Sequence, residues 1–452
     1  DLNRTGLSSY VAPADLAAGP AFRWKSDYTD DIVRAAPLID DEYNVYIATV
    51  TSGRVIKFAP TGKELWRYSS IGKPYDNTIS SSDTDQINAV PALMDGSLFA
   101  VTANGFVVSV DMATGTERWR YDVHDNTTSD TFSMGTGLGV VLAAHAGGSS
   151  DLLHGERAIL ALSAEGTKLW DVTFPASAAA AYNLMTALID SPSLGAVAVF
   201  SDSAGGVHML RLKDGTTVWS TPSPPFPAFT TGGAIVGPDD TIYVTSNVYA
   251  NANQANQSSG SFIPTGGMGV VSAYHVADGR LKWRTRFGES QLANAGGAIG
   301  PLAGMGPSLR VVVTLGPNPT PTHEQMLGLE PSGGEAGQPD PAKVVALDAK
   351  TGDTVWTYTL PLWHGGARGD SLAHFCLPDE SSNAAIGGDG VVYVPHEDGG
   401  VYAIKGDGDG DGVISDSEVE RWSFDSTFQA SPAIAPGMLA VAPCDGLAVF
   451  KL

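Results

Sequence analysis

Basic residues are scarce in this chain. Lys and Arg total 26 against 49 Asp and Glu, a formal charge of −23 at pH 7 over 452 residues. Such a surface repels phosphate backbones and anionic headgroups, which argues against nucleic acid as a partner. Cysteine is nearly absent: only Cys376 and Cys444 occur, too few for a disulfide-stapled miniprotein or a cysteine-rich zinc protein. The two allow either one bridge, worth about 4 kcal/mol for a loop of roughly 70 residues, or two buried thiols. No apolar run reaches the roughly 18 residues that a membrane span needs. The nine histidines lack His-Glu-x-x-His and similar spacings, and neither Gly-x-Ser-x-Gly nor a phosphate-binding Gly-x-x-x-x-Gly-Lys stretch is present, so zinc hydrolase, serine esterase and nucleotide-hydrolysing chemistry have no support.

Glycine, by contrast, is abundant at 53 residues with 28 prolines, the composition of many short strands joined by turns. The tryptophans give these strands a period. Six segments share an alternating apolar run, a turn with glycine, three residues and a Trp: "VIKFAPTGKELW" is the first and "VVALDAKTGDTVW" the last. Gly62, Gly115, Gly166, Gly215, Gly279 and Gly352 each stand four residues before Trp66, Trp119, Trp170, Trp219, Trp283 and Trp356. Each run reads as a half-buried strand, and the glycine supplies the positive φ of a tight hairpin. Another pair of candidate strands precedes each run, as in "GAIVGPDDTIYVTS". Four strands per repeat make the unit of a propeller blade.

Trp24 and Trp422 extend the series to eight. Successive spacings are 42, 53, 51, 49, 64, 73 and 66 residues, and the wrap from Trp422 through the C-terminus to Trp24 is 54. The chain therefore reads as one all-β domain, 1–452: an eight-bladed β-propeller of four-stranded antiparallel blades, closed by pairing an N-terminal strand ("AFRWKS") with the three C-terminal ones. Such closure protects sheet edges. The two long spacings place surface loops at 248–268 and 317–341, both rich in turn-forming residues.

These repeats resemble the quinoprotein-type β-propeller family, whose blades carry a tryptophan-docking motif A-x-D-x-x-T-G-x-x-x-W. Ala346, Asp348, Thr351, Gly352 and Trp356 match every fixed position, and Asp111, Thr114, Gly115 and Trp119 match four. The resemblance implies the propeller fold and two kinds of function: pyrroloquinoline-quinone dehydrogenases that oxidise alcohols or sugars, and cofactor-free scaffolds such as those of bacterial outer-membrane assembly. Many of the alcohol oxidisers hold the quinone against a disulfide of adjacent cysteines. This chain has no Cys-Cys pair, so the quinone is not expected.

From Asp407 the sequence reads D-G-D-G-D-G-V-I-S-D-S-E, which meets the EF-hand loop template at each fixed position. Asp407, Asp409 and Asp411 supply carboxylates, Gly412 the bend, Val413 a backbone carbonyl, Ser415 a water-mediated contact and Glu418 two oxygens. Calcium, which takes about six to eight oxygens, is the expected ion. A sensor EF-hand has flanking helices; here "GVYAIKG" precedes the loop as a strand and Trp422 follows Glu418 by four residues. The loop therefore replaces the last hairpin of blade seven, with nine residues inserted by the count from Ala403 to Trp422 against Ala346 to Trp356, and its ion is structural rather than catalytic.

A second chemical cluster, Trp363, His364, Arg368, Asp370 and His374, falls in the connection between blades six and seven. Trp363 is the one tryptophan outside the docking series, which makes this a candidate ligand loop. Asn3, Asn126 and Asn256 begin glycosylation sequons, and Asp1 in place of Met fits a processed chain. The expectation is a secreted, lumenal or periplasmic, calcium-stabilised, non-catalytic scaffold that binds other proteins and has no membrane span. The alternatives are a quinone-dependent alcohol or sugar dehydrogenase and a carbohydrate-binding or adhesive surface protein.

Overall fold

Strands that alternate apolar and polar residues must bury one face, and short strands broken by glycine turns bury it by stacking sheet on sheet. The computed structural model describes residues 16–26, 32–50, 52–70, 85–87, 89–125, 134–145, 157–174, 186–202, 205–222, 228–229, 233–248, 267–289, 291–293, 295–316, 342–361 and 382–451. Within them, eight antiparallel sheets form the blades of a ring. Blade one runs through Leu38–Ile39, Val45–Thr49, Arg54–Phe58 and Glu64–Ser69. Blade six runs through Ala298–Gly300, Arg310–Leu315, Lys343–Asp348 and Thr354–Thr359. Blade five carries an additional short strand, Ala228–Phe229, paired with Asn247 and Val248.

Closure follows the sequence expectation. The strand Phe22–Lys25 completes blade eight against Gly446–Lys451, with Phe22 opposite Val449 and Lys25 opposite Gly446. Arg23 and Lys25 each donate to Asp425, which fastens this strand to the chain leaving blade seven.

The third strands are more buried than their alternating pattern predicts. Every residue of Arg54–Phe58 is buried, including Arg54 and Lys57, because a neighbouring blade covers each face of a propeller sheet. Lys57 survives there through an ion pair with Asp40 at 3.4 Å and a hydrogen bond to the Met112 carbonyl. Fourth strands such as Glu64–Ser69 regain a partly exposed pattern.

The six turn glycines have φ between +69° and +85°, the left-handed region that L side chains occupy at a cost. In each of those blades the pairing slips at a bulge beside the turn, as between Ala346 and Leu347, the pattern of a hairpin closed by a left-handed glycine. Both long insertions join the second and third strands of a blade. The first is shorter than its sequence bounds, since Val248 and Met268 are paired strand residues; its residues 249–266 and all of 317–341 lie outside the described residues.

Gly352 and Gly304 separate two costs of such positions. A Cβ on Gly352 would stand 2.5 Å from the Trp283 ring, whereas one on Gly304, at φ +73°, meets nothing within 4 Å. Gly304→Ala is expected to cost about 1 kcal/mol of backbone strain. Gly352→Ala should cost about 2–4 kcal/mol because the indole must also move. Denaturant unfolding of the two variants checks the difference.

Candidate functional site

Five of the eight blades are joined to the next by a tryptophan from the fourth strand. The indoles of Trp66, Trp119, Trp170, Trp219 and Trp283 lie on Gly115, Gly166, Gly215, Gly279 and Gly352 of the following blade. Their Nε1–H groups donate to the carbonyls of Met112, Ala164, Leu212, Val276 and Ala349 at 2.7–3.0 Å. In two of these turns an aspartate sets the loop first: Asp111 accepts from the amides of Ala113 and Thr114, and Asp348 from those of Lys350 and Thr351.

The remaining seams depart from this pattern. Trp422 lies on Gly19, whose turn from Leu16 stands where blade eight has no continuous hairpin. Trp24 belongs to the series by sequence, but Phe22 covers Gly62 while Trp24 tilts against Phe58 with ring centroids 5.5 Å apart. Two residues along a strand share a face, so Phe22 can take the dock in its place.

Trp356 differs most, because the turn it faces is the acidic loop. The loop joins Gly400–Ile404 to Val419–Ser423, the last two strands of blade seven. No α-helix flanks it; Asp416–Glu418 forms one 3₁₀ turn. Trp422 pairs with Val401 rather than Ala403, so the enlarged hairpin is two residues longer than the motif count gives. A two-residue shift keeps every side chain on its own face.

Within the loop, ligand atoms of Asp407, Asp409 and Glu418 all lie within 4.8 Å of one another. The two carboxylate oxygens of Asp407 accept from the amides of Gly410 and Gly412, and those of Glu418 from Gly408 and Ser415. A carboxylate oxygen that accepts one N–H keeps a lone pair for a cation. An amide of Asp411 stabilises the charged form of Asp409, yet repulsion from Asp411 and Glu418 outweighs it and leaves that carboxyl above its ordinary value. The Ser415 and Gly408 amides pull Glu418 below its own. Asp411 stands outside the cluster and binds the Val413 amide at 2.7 Å. Val413 and Ser415 are exposed. The donor set fits a hard, oxygen-seeking cation.

The structure also pairs two buried histidines with carboxylates that no sequence motif singles out. His145 bridges Asp125 and Asp171 at 2.8 and 3.0 Å. His208 lies between Asp202 at 2.8 Å and the Ser220 hydroxyl at 3.0 Å, stacked on Phe200. Ser220 comes from the strand next to that of His208, Asp171 from the strand two along from that of His145, and Asp125 and Asp202 from connections between strands.

The family model described as outer membrane protein assembly factor BamB matches residues 51–260 and 229–450. The chain belongs to the BamB family. No curated protein matches it. Its fold is similar to that of BamB from Moraxella catarrhalis, with a TM-score of 0.59, 15% identity, and 96% of this chain and 99% of that one covered. It is equally similar to a europium-containing methanol dehydrogenase, at TM-score 0.63 and 12% identity, covering 100% and 97% of the two chains. A quinohemoprotein alcohol dehydrogenase from Comamonas testosteroni follows at 0.61 and 13%, covering 100% and 79%. Identities this low carry the fold alone.

Within this BamB-family ring, the antiparallel order fixes which end each connection leaves from. The 249–266, 317–341 and 362–381 segments all attach at one end, where second and fourth strands finish. The acidic loop closes third strands to fourth, at the opposite end. Trp363, His364, Arg368, Asp370, His374 and Cys376 lie outside the described residues, as do Asn3, Asn126 and Asn256. Cys444 is buried.

Asp398, at the turn between the second and third strands of blade seven, gives a pH test. Burial opposes its charge, but His396, the Tyr402 hydroxyl at 2.6 Å and Arg421 at 2.7 Å prevail and hold its carboxyl down at about 2. A depressed folded value contributes stability above the unfolded value near 4, lost as pH falls toward 2. Asp398→Asn should therefore cost on the order of 2 kcal/mol at pH 7. In urea unfolding the gap from the parent should narrow below pH 4.

Proposed function

We propose that the chain is a non-catalytic scaffold for protein assembly, working in a secreted, periplasmic or lumenal compartment and stabilised by one calcium ion in the blade-seven loop. The observation that carries the assembly reading is the family match, which runs from residue 51 to 450 and is described as an outer membrane assembly factor. Support for a structural ion comes from its placement. Asp407, Asp409 and Glu418 come from one hairpin, at the end of the ring opposite the long insertions, and Asp407 and Glu418 also brace the loop's own backbone. A propeller offers rigid ends on which loops meet partners, and the strands flanking 249–266 and 317–341 attach both insertions at the same end.

The quinone-dependent reading draws on the likeness in fold to the two dehydrogenases. Reconstitution with pyrroloquinoline quinone and calcium, followed by a dye-reduction assay with alcohols and aldoses, separates the two. Stoichiometric quinone binding with turnover overturns the scaffold reading. The scaffold reading expects neither, together with a stoichiometric complex with a partner protein from the native source that loses its partner when residues 249–266 or 317–341 are shortened.

The calcium reading has its own test. Calorimetry is expected to show one site, and chelator should lower the thermal midpoint. Asp407→Ala combined with Asp411→Ala should abolish both effects. A midpoint indifferent to chelator in the parent protein would refute the structural role.

A further inference from the structure

Five seams of the ring are closed by an indole that donates to a carbonyl of the next blade's turn. The seam between blades six and seven is built differently. Trp356 is fully buried, and its Nε1 has no hydrogen-bond partner among the described residues. A motif that matches every fixed position thus lacks the bond that the motif makes elsewhere. The turn that would hold the accepting carbonyl is the enlarged acidic loop.

What the loop supplies instead is backbone pairing beside the indole. The Thr357 amide donates to the Gly412 carbonyl at 3.1 Å, and the Ile414 amide donates to the Thr357 carbonyl at 2.9 Å, a parallel bridge between Thr357 and Val413. Ile414 is 4% exposed and enters the apolar cluster that contains Trp356, Tyr358 and Leu360. The Tyr358 hydroxyl donates to Asp416 at 3.3 Å. At the other end of the loop, Gly406 at φ +103° passes so near the Ala303 carbonyl of blade six that a Cβ there would lie 2.4 Å from it. Blade six is therefore gripped at both ends of the loop and along its outermost strand.

We infer that the 405–418 loop is a latch for this seam, replacing the indole–carbonyl bond with a backbone clasp whose tightness depends on how well the loop itself is ordered. The same peptide units serve both tasks. Gly412 gives its N–H to Asp407 and its C=O to Thr357. Ser415, next to the Ile414 amide that holds Thr357, is fixed by Glu418 through both its amide and its hydroxyl. A cation that draws Asp407 and Glu418 together stiffens the two residues that clasp Thr357, so calcium sets the seam; this part rests on the calcium reading above. The device couples an ion at the rim to the fit of two blades, in one place on the ring.

Hydrogen exchange of the full chain, followed by mass spectrometry, reads the clasp at the Thr357 and Ile414 amides. The amides of the blade-three to blade-four seam, held by Trp170, serve as the internal control. Ile414→Ala keeps every loop carboxylate and removes the apolar anchor. In chelator it is expected to speed exchange at residues 354–359 at least tenfold over the parent while the control seam is unchanged. Parent-like exchange at 354–359 in this variant overturns the latch.

With calcium, the parent should slow exchange at Thr357 and Ile414 at least tenfold. Its tryptophan emission should also change, and that change should be missing in Trp356→Phe. If calorimetry shows one bound calcium and these amides do not respond, the coupling is wrong while the calcium site stands. If calorimetry shows no binding, the calcium reading falls and the ion's control of the seam with it, and Ile414→Ala alone then decides whether the loop clasps the blade.

Discussion

A propeller has no core at its centre of mass to gather its parts, so its stability rests on how each sheet is fixed to the next. At five of the eight seams of this chain that fixing is one contact: an indole lying on a glycine whose left-handed backbone leaves no Cβ in the way. The indole covers the turn, its N–H satisfies a carbonyl there, and the strand that carries it is the partly exposed rim of its own blade. Apolar contact and hydrogen bond act on the same few atoms. Removing the glycine's freedom or the indole's donor loosens a joint between two sheets rather than one side chain.

Because this contact needs residues at fixed spacing, it is legible in the amino-acid sequence itself. Glycine four residues ahead of tryptophan, repeated six times and extended by Trp24 and Trp422, marks the blade count, the fourth strands and the closure of the ring by Phe22–Lys25. Other features are not legible there, and for physical reasons. Trp24 and Phe22 share a strand face, so composition cannot say which ring covers Gly62. Double burial of strands such as Arg54–Phe58 depends on the neighbouring blade, which an alternating pattern does not reveal.

The acidic loop shows the same division. Its residue types and offset from Trp422 assign it to the last hairpin of blade seven, where the strands put it. Its two-residue change of register and its grip on Thr357 come from long-range pairing that no local count contains. His145 leaves no mark in the sequence, because its carboxylate partners lie 20 and 26 residues away and meet it only once the blades form and pack. The likeness to dehydrogenases of very low identity is one of fold, and a fold by itself carries no function.

Blade eight, finally, imposes an order on folding. Its rim strand, Phe22–Lys25, is synthesised before the other seven blades, while the strand it pairs with, Gly446–Lys451, is synthesised after them. Until the later strand is made, the early one has no partner and the ring stands open with a bare edge at each side. Pairings of such long sequence separation are slow to form. The newborn protein thus spends its most adhesive interval just before closure, and whatever shields it then matters as much to its survival as the seams do afterwards.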